Sequence, residues 1–548
     1  MRIENLRYSP QEVAAFEAAG YWTTETTNEA LDRLAQERPA QLAIVDTRVR
    51  LTWSEFRDRV RKLASHFIKL GLTADDVIAI QMPNWSEFAI VVNAAMMAGV
   101  PFCQVHSDFR AREIEFVLGF TKAALFITPT HFRKFDYLPM VKELQPKLPH
   151  LKHLMAVGDN VPGDFFDLRR YLDAGGALEV SEAELDRRHP VGNDLARVAF
   201  TSGTTGDPKA VLHLHNTTNC AVRFINRDHR MGPDDVILLL LPVGLNWGLF
   251  NVLQAVTSGA SLVMLEQFTA ANAMELIEKH GVSYVCCAPA HLVAMLNSPD
   301  VATRNLSSLK VVVTGGASCP IEVIEDFGKR IPGTLLELYG MLECGLQSCT
   351  LIDDDPATVV GTVGKPIAEV HSQVVDDAGA LCGPDQIGEI RTRGPSVAVG
   401  YYNNADANLR AFDQEGWFRT GDLGTFDSRG YLRIVGRKKE MIIRGGANIY
   451  PREIEEVLYQ HPKVRDAAVI GLPDPRLGER TCACIVTNSG EPVTLEEIVA
   501  FLRPKIATYK LPEFVVCFAD LPRTPTGKIQ KTSLRDLVAN QTAVALSH

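Results

Sequence analysis

Between residues 43 and 314 the chain alternates short apolar runs with helical patterns, and this alternation narrows the possible folds most. Residues 43–45, 77–80, 125–127, 236–241, 261–265, 284–287 and 310–314 read as buried strands. Helices are predicted between them. Thr52 and Glu55 form a capping box, with Leu51 and Phe56 placed as a staple. Phe56, Val60, Leu63, Phe67 and Leu70 then share one face, and Gly71 ends that helix. Residues 85–97 predict a nearly all-apolar helix closed by Gly99 before Pro101. Strands separated by helices imply a mostly parallel sheet covered on its faces. After about residue 365 the texture changes to short β-like runs at 372–375, 389–393 and 431–435, with a hairpin-like turn at Asp427–Gly430. Beyond Gly436 a smaller α+β section has helices at 453–459 and 495–502 and strands at 467–470, 482–486 and 515–518. The expected fold class is α/β: a large N-terminal domain of helix-covered β-sheets with a β-rich subdomain, residues 1–436, and a small α+β C-terminal domain, residues 437–548.

Composition removes several function classes. A chain of 548 residues exceeds what one core serves. A net charge of −10 supplies no basic excess for general nucleic-acid binding. The eleven cysteines are an odd number, and 286–287, 482/484 and 344/349 lack zinc-ligand spacing with matching histidines. They read as small buried residues in a reducing compartment. No charged-then-apolar leader opens the chain and no apolar run is long enough to span a bilayer, so a cytoplasmic protein without integral membrane contact is expected. Oligomeric state has no signature in the sequence; a homodimer stands open beside a monomer.

The most chemical stretch is Phe200-Thr-Ser-Gly-Thr-Thr-Gly-Asp-Pro-Lys209. Gly203 and Gly206 permit positive φ and leave backbone N–H groups uncovered, and successive N–H groups form a concave anion site. Thr201, Ser202, Thr204 and Thr205 add donors, and Lys209 adds a cation. A polyphosphate suits this set, although a solvated Ser/Thr/Gly loop would share its composition. It is not a Walker A sequence, and Pro208 breaks any following helix. Three later segments also carry chemistry. Tyr339-Gly-Met-Leu-Glu343 offers a carboxylate for a divalent cation. Gly416–Asp422 ends in a carboxylate, after a turn, that could take ribose hydroxyls or cap the next turn. Pro522–Lys528 is a Pro/Gly-rich loop delivering one lysine near the C-terminus.

Together these segments resemble the adenylate-forming superfamily of acyl-CoA and aryl-CoA synthetases, peptide-synthetase adenylation domains and beetle luciferases. The matching stretches follow family order over nearly the whole chain: Thr201–Lys209, Thr314-Gly-Gly-Ala317, Tyr339–Glu343, Gly388-Glu389 to Gly400-Tyr401, Gly416–Asp422, Gly436-Arg437 to Glu455, and Pro525-Thr-Gly-Lys528. Aryl-acid AMP ligases and cyclic or aromatic carboxylate–CoA ligases look most similar, through Gly20-Tyr-Trp22 and the 135–152 stretch.

The resemblance implies an activity and a set of roles. A small carboxylic acid would be activated by ATP with Mg²⁺ as acyl-AMP, with release of pyrophosphate, and then passed to the thiol of CoA. Thr201, Ser202, Gly203, Thr204, Thr205, Gly206 and Lys209 would hold the β- and γ-phosphates. Gly315, Gly316, Ala317, Tyr339 and Gly340 would flank adenine, and Asp422 and Arg437 would bind ribose. Glu343, with Thr204, would hold the metal. Lys528 would bridge the carboxylate and α-phosphate as charge builds there. Lys439 matches the family's hinge, about which a mobile small domain rotates to bring Gly445, Gly446 and Ala447 into the thiol channel. Asn246, Trp247, Asn251, Gly316, Met341, Leu342 and Leu346 are the acid-pocket candidates, a chiefly apolar set that suits an aromatic, alicyclic or medium-chain acid. Two positions depart from the pattern: Leu342 replaces a threonine before the motif glutamate, and Leu245 stands where many relatives have histidine. Two other functions stay open: an aryl-acid AMP ligase loading the phosphopantetheine of a carrier protein, and a catalytically inactive nucleotide-binding protein.

Overall fold

A computed structural model describes residues 7–201, 208–317, 319–523 and 528–546, with side chains to residue 539. Among these residues the large domain holds an eight-stranded and a nine-stranded sheet, both mostly parallel, over one continuous apolar core. The helix Ser86–Met97 explains why its sequence is apolar all round: each of its side chains is buried. It packs on Trp53–Lys69 and Thr27–Glu37. Its one carboxylate, Glu87, is buried but paired, 3.2 Å from Arg48 and 2.8 Å from Arg169. Unpaired, it would carry a large desolvation cost. The Thr52–Glu55 capping box opens Trp53–Lys69, and Gly71 follows the helix with φ +78°.

After Pro208 the chain follows its sequence reading in forming no helix, and it adds a strand that the reading did not place. This strand, Ala210–Leu214, is antiparallel to Leu195–Phe200 and paired on its other side with Gly400–Tyr401. The strand pair therefore ends with Thr201 opposite Lys209. Thr201 N–H donates to the Lys209 carbonyl at 3.0 Å, and Lys209 N–H donates to Thr201 Oγ1 at 3.1 Å. These bonds close that end of the pair.

The β-rich part is a four-stranded antiparallel sheet, His371–Val375, Gly388–Arg393, Phe418–Phe426 and Leu432–Arg437. Its last hairpin turns at Asp427–Gly430, where Gly430 has φ +84°. Arg437 ends this sheet, a single 3₁₀ turn covers Lys438–Glu440, and Ile442 begins the sheet of the small domain. That sheet packs its own core of Ile442, Ile449, Ile454, Leu458, Ile485 and Ile498.

Candidate active site

Close backbone approach shapes the first wall of the site. Val311–Gly315 runs parallel to Thr334–Met341, with Gly315 opposite Leu338. A Cβ on Gly315 would lie 2.6 Å from the Leu338 side chain. Gly316 has φ +78° and turns the chain outward, leaving Gly316 and Ala317 exposed. At Gly340 a Cβ would fall 2.2 Å from the Gly345 carbonyl oxygen. Only glycine lets the strand fold back there, and the resulting turn presents Glu343. Tyr401 O–H donates to Glu343 Oε1 at 2.9 Å, and Lys209 Nζ sits 4.6 Å over the Tyr401 ring. Desolvation raises the Glu343 pKa, while Tyr401, Lys209 and Arg437 oppose the shift. Glu343 is thus a carboxylate whose charged form gains from an added cation.

The second wall is the pair of strands Phe418–Phe426 and Leu432–Arg437, which set Asp422 opposite Arg437. Arg437 Nε lies 3.2 Å from Asp422 Oδ1, and Tyr339 O–H donates to Asp422 Oδ2 at 2.7 Å. Asp422 is buried in mid-strand rather than after a turn. Each of its oxygens keeps acceptor capacity beyond these bonds. Against desolvation, Asp422 and Glu440 hold the Arg437 guanidinium above its ordinary pKa. Burial lifts the Tyr339 hydroxyl well above its ordinary value, and Asp422 adds to that.

Lys528 arrives from the small domain. Its side chain keeps accessible surface, yet the charged wall reaches it: desolvation and then Arg437 lower its pKa, while Asp422, Glu343 and Glu440 oppose them. Lys531, one turn further on, lies 3.1 Å from Glu440 and 2.8 Å from Glu455. The structure therefore brings together Lys209, Tyr339, Glu343, Asp422, Arg437 and Lys528. Ser202, Gly203, Thr204, Thr205 and Gly206 lie outside the described residues. Lys439 is exposed in the 3₁₀ turn. Gly445 and Gly446 have φ +57° and +83° in the exposed turn before Ala447, within the hairpin Ile442–Ile449.

The acid-side candidates divide. Asn246 and Trp247 open the helix Asn246–Ser258, with the Trp247 and Phe250 rings 5.9 Å apart. Asn251 is buried and donates to Gln254 at 2.8 Å. Met341 and Leu342 pack beside Cys344, Val397 and Tyr401, and Leu346 is buried on the following strand.

Sequence reasoning gave no role to Tyr401, Glu337, Arg452 or the buried pair Arg197 and His213. Glu337 lies on Thr334–Met341 in a cleft where Cys319, Thr362 and Val363 of the large domain face Arg452 and Glu456 of the small one. It is 4% exposed, and Oε1 has no partner among the described residues. Burial raises its pKa to about 8, with Arg452 and the Cys319 thiol pulling it down. Its signal was a carboxylate inside the apolar run Leu335–Leu338. Among the described residues no three His, Cys, Asp or Glu side chains gather as a metal cluster, and no helix is long and apolar enough to cross a membrane.

Cations from two domains, gathered against Glu343 in the turn after one strand and Asp422 within an antiparallel sheet, fit an enzyme that joins an acid to a nucleotide. Residues 31–402 match the family model described as AMP-binding enzyme, and residues 453–528 match the AMP-binding enzyme C-terminal domain. The chain belongs to the AMP-binding enzyme family. It is 33% identical to a medium-chain fatty-acid–CoA ligase of Escherichia coli, over 97% of this chain and 93% of that one. It is 34% identical to a 2-hydroxy-7-methoxy-5-methyl-1-naphthoate–CoA ligase of Streptomyces carzinostaticus, over 96% of both. The ATP-bound MatB structure from Rhodopseudomonas palustris superposes with a TM-score of 0.84 at 25% identity, over 94% of this chain and 99% of that one. This protein is an AMP-forming acid–CoA ligase.

Proposed function

We propose that the protein activates a ring-containing or medium-chain carboxylic acid on ATP and transfers the acyl group to CoA. The observation that carries this reading is Lys528, brought from the small domain against Asp422 and Glu343 of the large one. An acid carboxylate and a triphosphate repel, and cations must offset both charges before attack. In this reading Lys209 and the Thr201–Gly206 motif hold the outer phosphates, and Asp422 accepts from the ribose hydroxyls. Tyr339 and Arg437 fix Asp422 in place. Lys528 then bridges the acid and the α-phosphate. A carboxylate oxygen attacks the α-phosphorus, the bond to the β-phosphate oxygen breaks, and pyrophosphate leaves. In the second half the CoA sulfur attacks the acyl carbon, AMP departs with the bonding pair, and the thiol proton is released.

The residues present fit a magnesium ion. Glu343 offers one carboxylate, and Mg²⁺ is commonly held by one or two carboxylates together with substrate phosphates. When bound it would offset phosphate charge. The acid class draws support from relatives named for a fatty acid and for a naphthoate, and from the apolar candidates Trp247, Met341, Leu342 and Leu346. A cytoplasmic setting is supported by eleven free thiols. The test is acid-dependent pyrophosphate release across a panel of ring and medium-chain acids, followed by thioester formation with free CoA or with a holo-carrier protein. Thioester on CoA is expected. Thioester on the carrier alone would move the protein to the carrier-loading class, and no pyrophosphate with any acid would sink the reading.

A further inference from the structure

Beneath the acid-side wall lies a charge that the adenylation site does not use. Arg197, in the strand Leu195–Phe200, is 0% exposed. Its partner across the hairpin is His213, also buried, so the two side chains leave the sheet on the same face. That face looks onto the two elements that carry acid-pocket candidates. Arg197 Cζ lies 5.6 Å from the centre of the Phe250 ring, one helical turn beyond Trp247. His213 Nε2 lies 2.8 Å from the Leu342 carbonyl oxygen. Nε2 must therefore donate, which leaves Nδ1 as an acceptor.

The guanidinium is poorly matched by the protein itself. Its Nε reaches Thr218 Oγ1 at 3.4 Å, and among the described residues neither terminal nitrogen has a partner. Burial alone lowers Arg197 to about 9, and burial and then Arg197 lower His213. No carboxylate contributes to either shift. A buried cation without a counter-charge is costly, and a forked guanidinium matches a carboxylate in a way that a point charge does not.

We propose that Arg197 is a specificity-determining residue that receives an oxygen substituent at the far end of the acid, a second carboxylate above all. This rests on the acid–CoA ligase reading and narrows it. The acid is then anchored at both ends: its reacting carboxylate at Lys528, its distal oxygen at Arg197, with apolar carbon between them along Trp247 and Phe250. His213 braces the Leu342 backbone beside this end and offers Nδ1 to a distal group that carries a proton.

The test uses the whole enzyme and matched acids that share one skeleton and differ only at the far end, methyl, hydroxyl or carboxylate. Pyrophosphate release gives kcat and KM for each. The wild type should favour the distal carboxylate over its methyl twin by on the order of 10²-fold in kcat/KM, mostly through KM, as sites built to hydrogen-bond a polar group reject analogues that lack it. Arg197→Met should collapse that ratio to about one or below, and Arg197→Lys should restore part of it. The wild-type panel and Arg197→Lys decide the matter even if Arg197→Met does not fold. A wild type that prefers methyl-terminated acids overturns the proposal, as does a folded Arg197→Met with an unchanged ratio. Both results would leave the ligase reading standing. A failure of every acid to release pyrophosphate would instead remove that reading and this proposal with it.

Discussion

Glu337 shows how far burial can move one carboxyl group. Its pKa of about 8 stands above the ordinary 4.5, so the folded protein holds a proton there that the unfolded chain has lost. The stability tied to that proton is fully present below pH 4.5 and is lost as pH rises through 8. Glu337→Gln cannot ionise. It should match wild type near pH 5 and become progressively more stable from pH 6 to pH 9, by about 1–3 kcal/mol at the alkaline end. Thermal melts across that range read this directly, and a difference that stays flat with pH would show that no buried charge forms. The residue also faces the cleft between the two domains. Its unpartnered Oε1 lies in the cleft that Arg452 closes from the small domain, so each protonation state presents a different hydrogen-bonding face there.

Elements were more legible than the contacts between them. The strand at 284–287 and the helix at 495–502 fall where the apolar pattern put them, the strand because it is buried on both faces and so apolar throughout, the helix because one buried face imposes a period. The strand Ala210–Leu214 was missed because a proline before a short apolar run signals only where a helix cannot be. Lys528, Asp422 and Glu343 were legible through family motifs, since their spacing follows the reaction. Tyr401 closed a matching family stretch without a role of its own, and Glu337 and Arg197 had no such guide. Each meets its partner, Glu343, Arg452 or His213, only through the tertiary fold. Gly340 sits between these cases: the motif marks it, but its reason is steric. Gly340→Ala would force the 2.2 Å contact with the Gly345 carbonyl apart and displace the turn that holds Glu343. A stability loss of about 1–3 kcal/mol is expected, with adenylation falling by more than the population of folded enzyme explains. Denaturant melts beside pyrophosphate release separate the two. An alanine variant with wild-type melts and activity would mean that the turn opens without consequence.

At the scale of the whole molecule, the proposed function gives one small domain two working edges, Lys528 and the Gly445–Gly446 turn, and the structure presents the first of them to Asp422 and Glu343. Under the proposed function the small domain turns between the two half-reactions, and the 3₁₀ turn Lys438–Glu440 is the short joint between the sheets. Lys531 bonds Glu440 and Glu455 together, so the end of the joint moves with the small domain. Arg437 stays with the large one, paired to Asp422. The pivot we propose is therefore Lys438 and Lys439. A 3₁₀ residue has φ near the value that proline enforces, so Lys439→Pro fits the present orientation while denying others. It should retain acid-dependent pyrophosphate release and lose thioester formation by roughly 10- to 100-fold, because a step gated by domain motion slows when the motion is blocked. Lys528→Ala should do the reverse, losing adenylation by at least about 10²-fold while converting supplied acyl-AMP and CoA to thioester. The reciprocal pattern is the decisive result, since a general loss of folding would lower both half-reactions in both variants. A Lys439→Pro enzyme that makes thioester at the normal rate removes Lys439 as the pivot, and equal loss of both half-reactions in Lys528→Ala removes the lysine's assignment to adenylation.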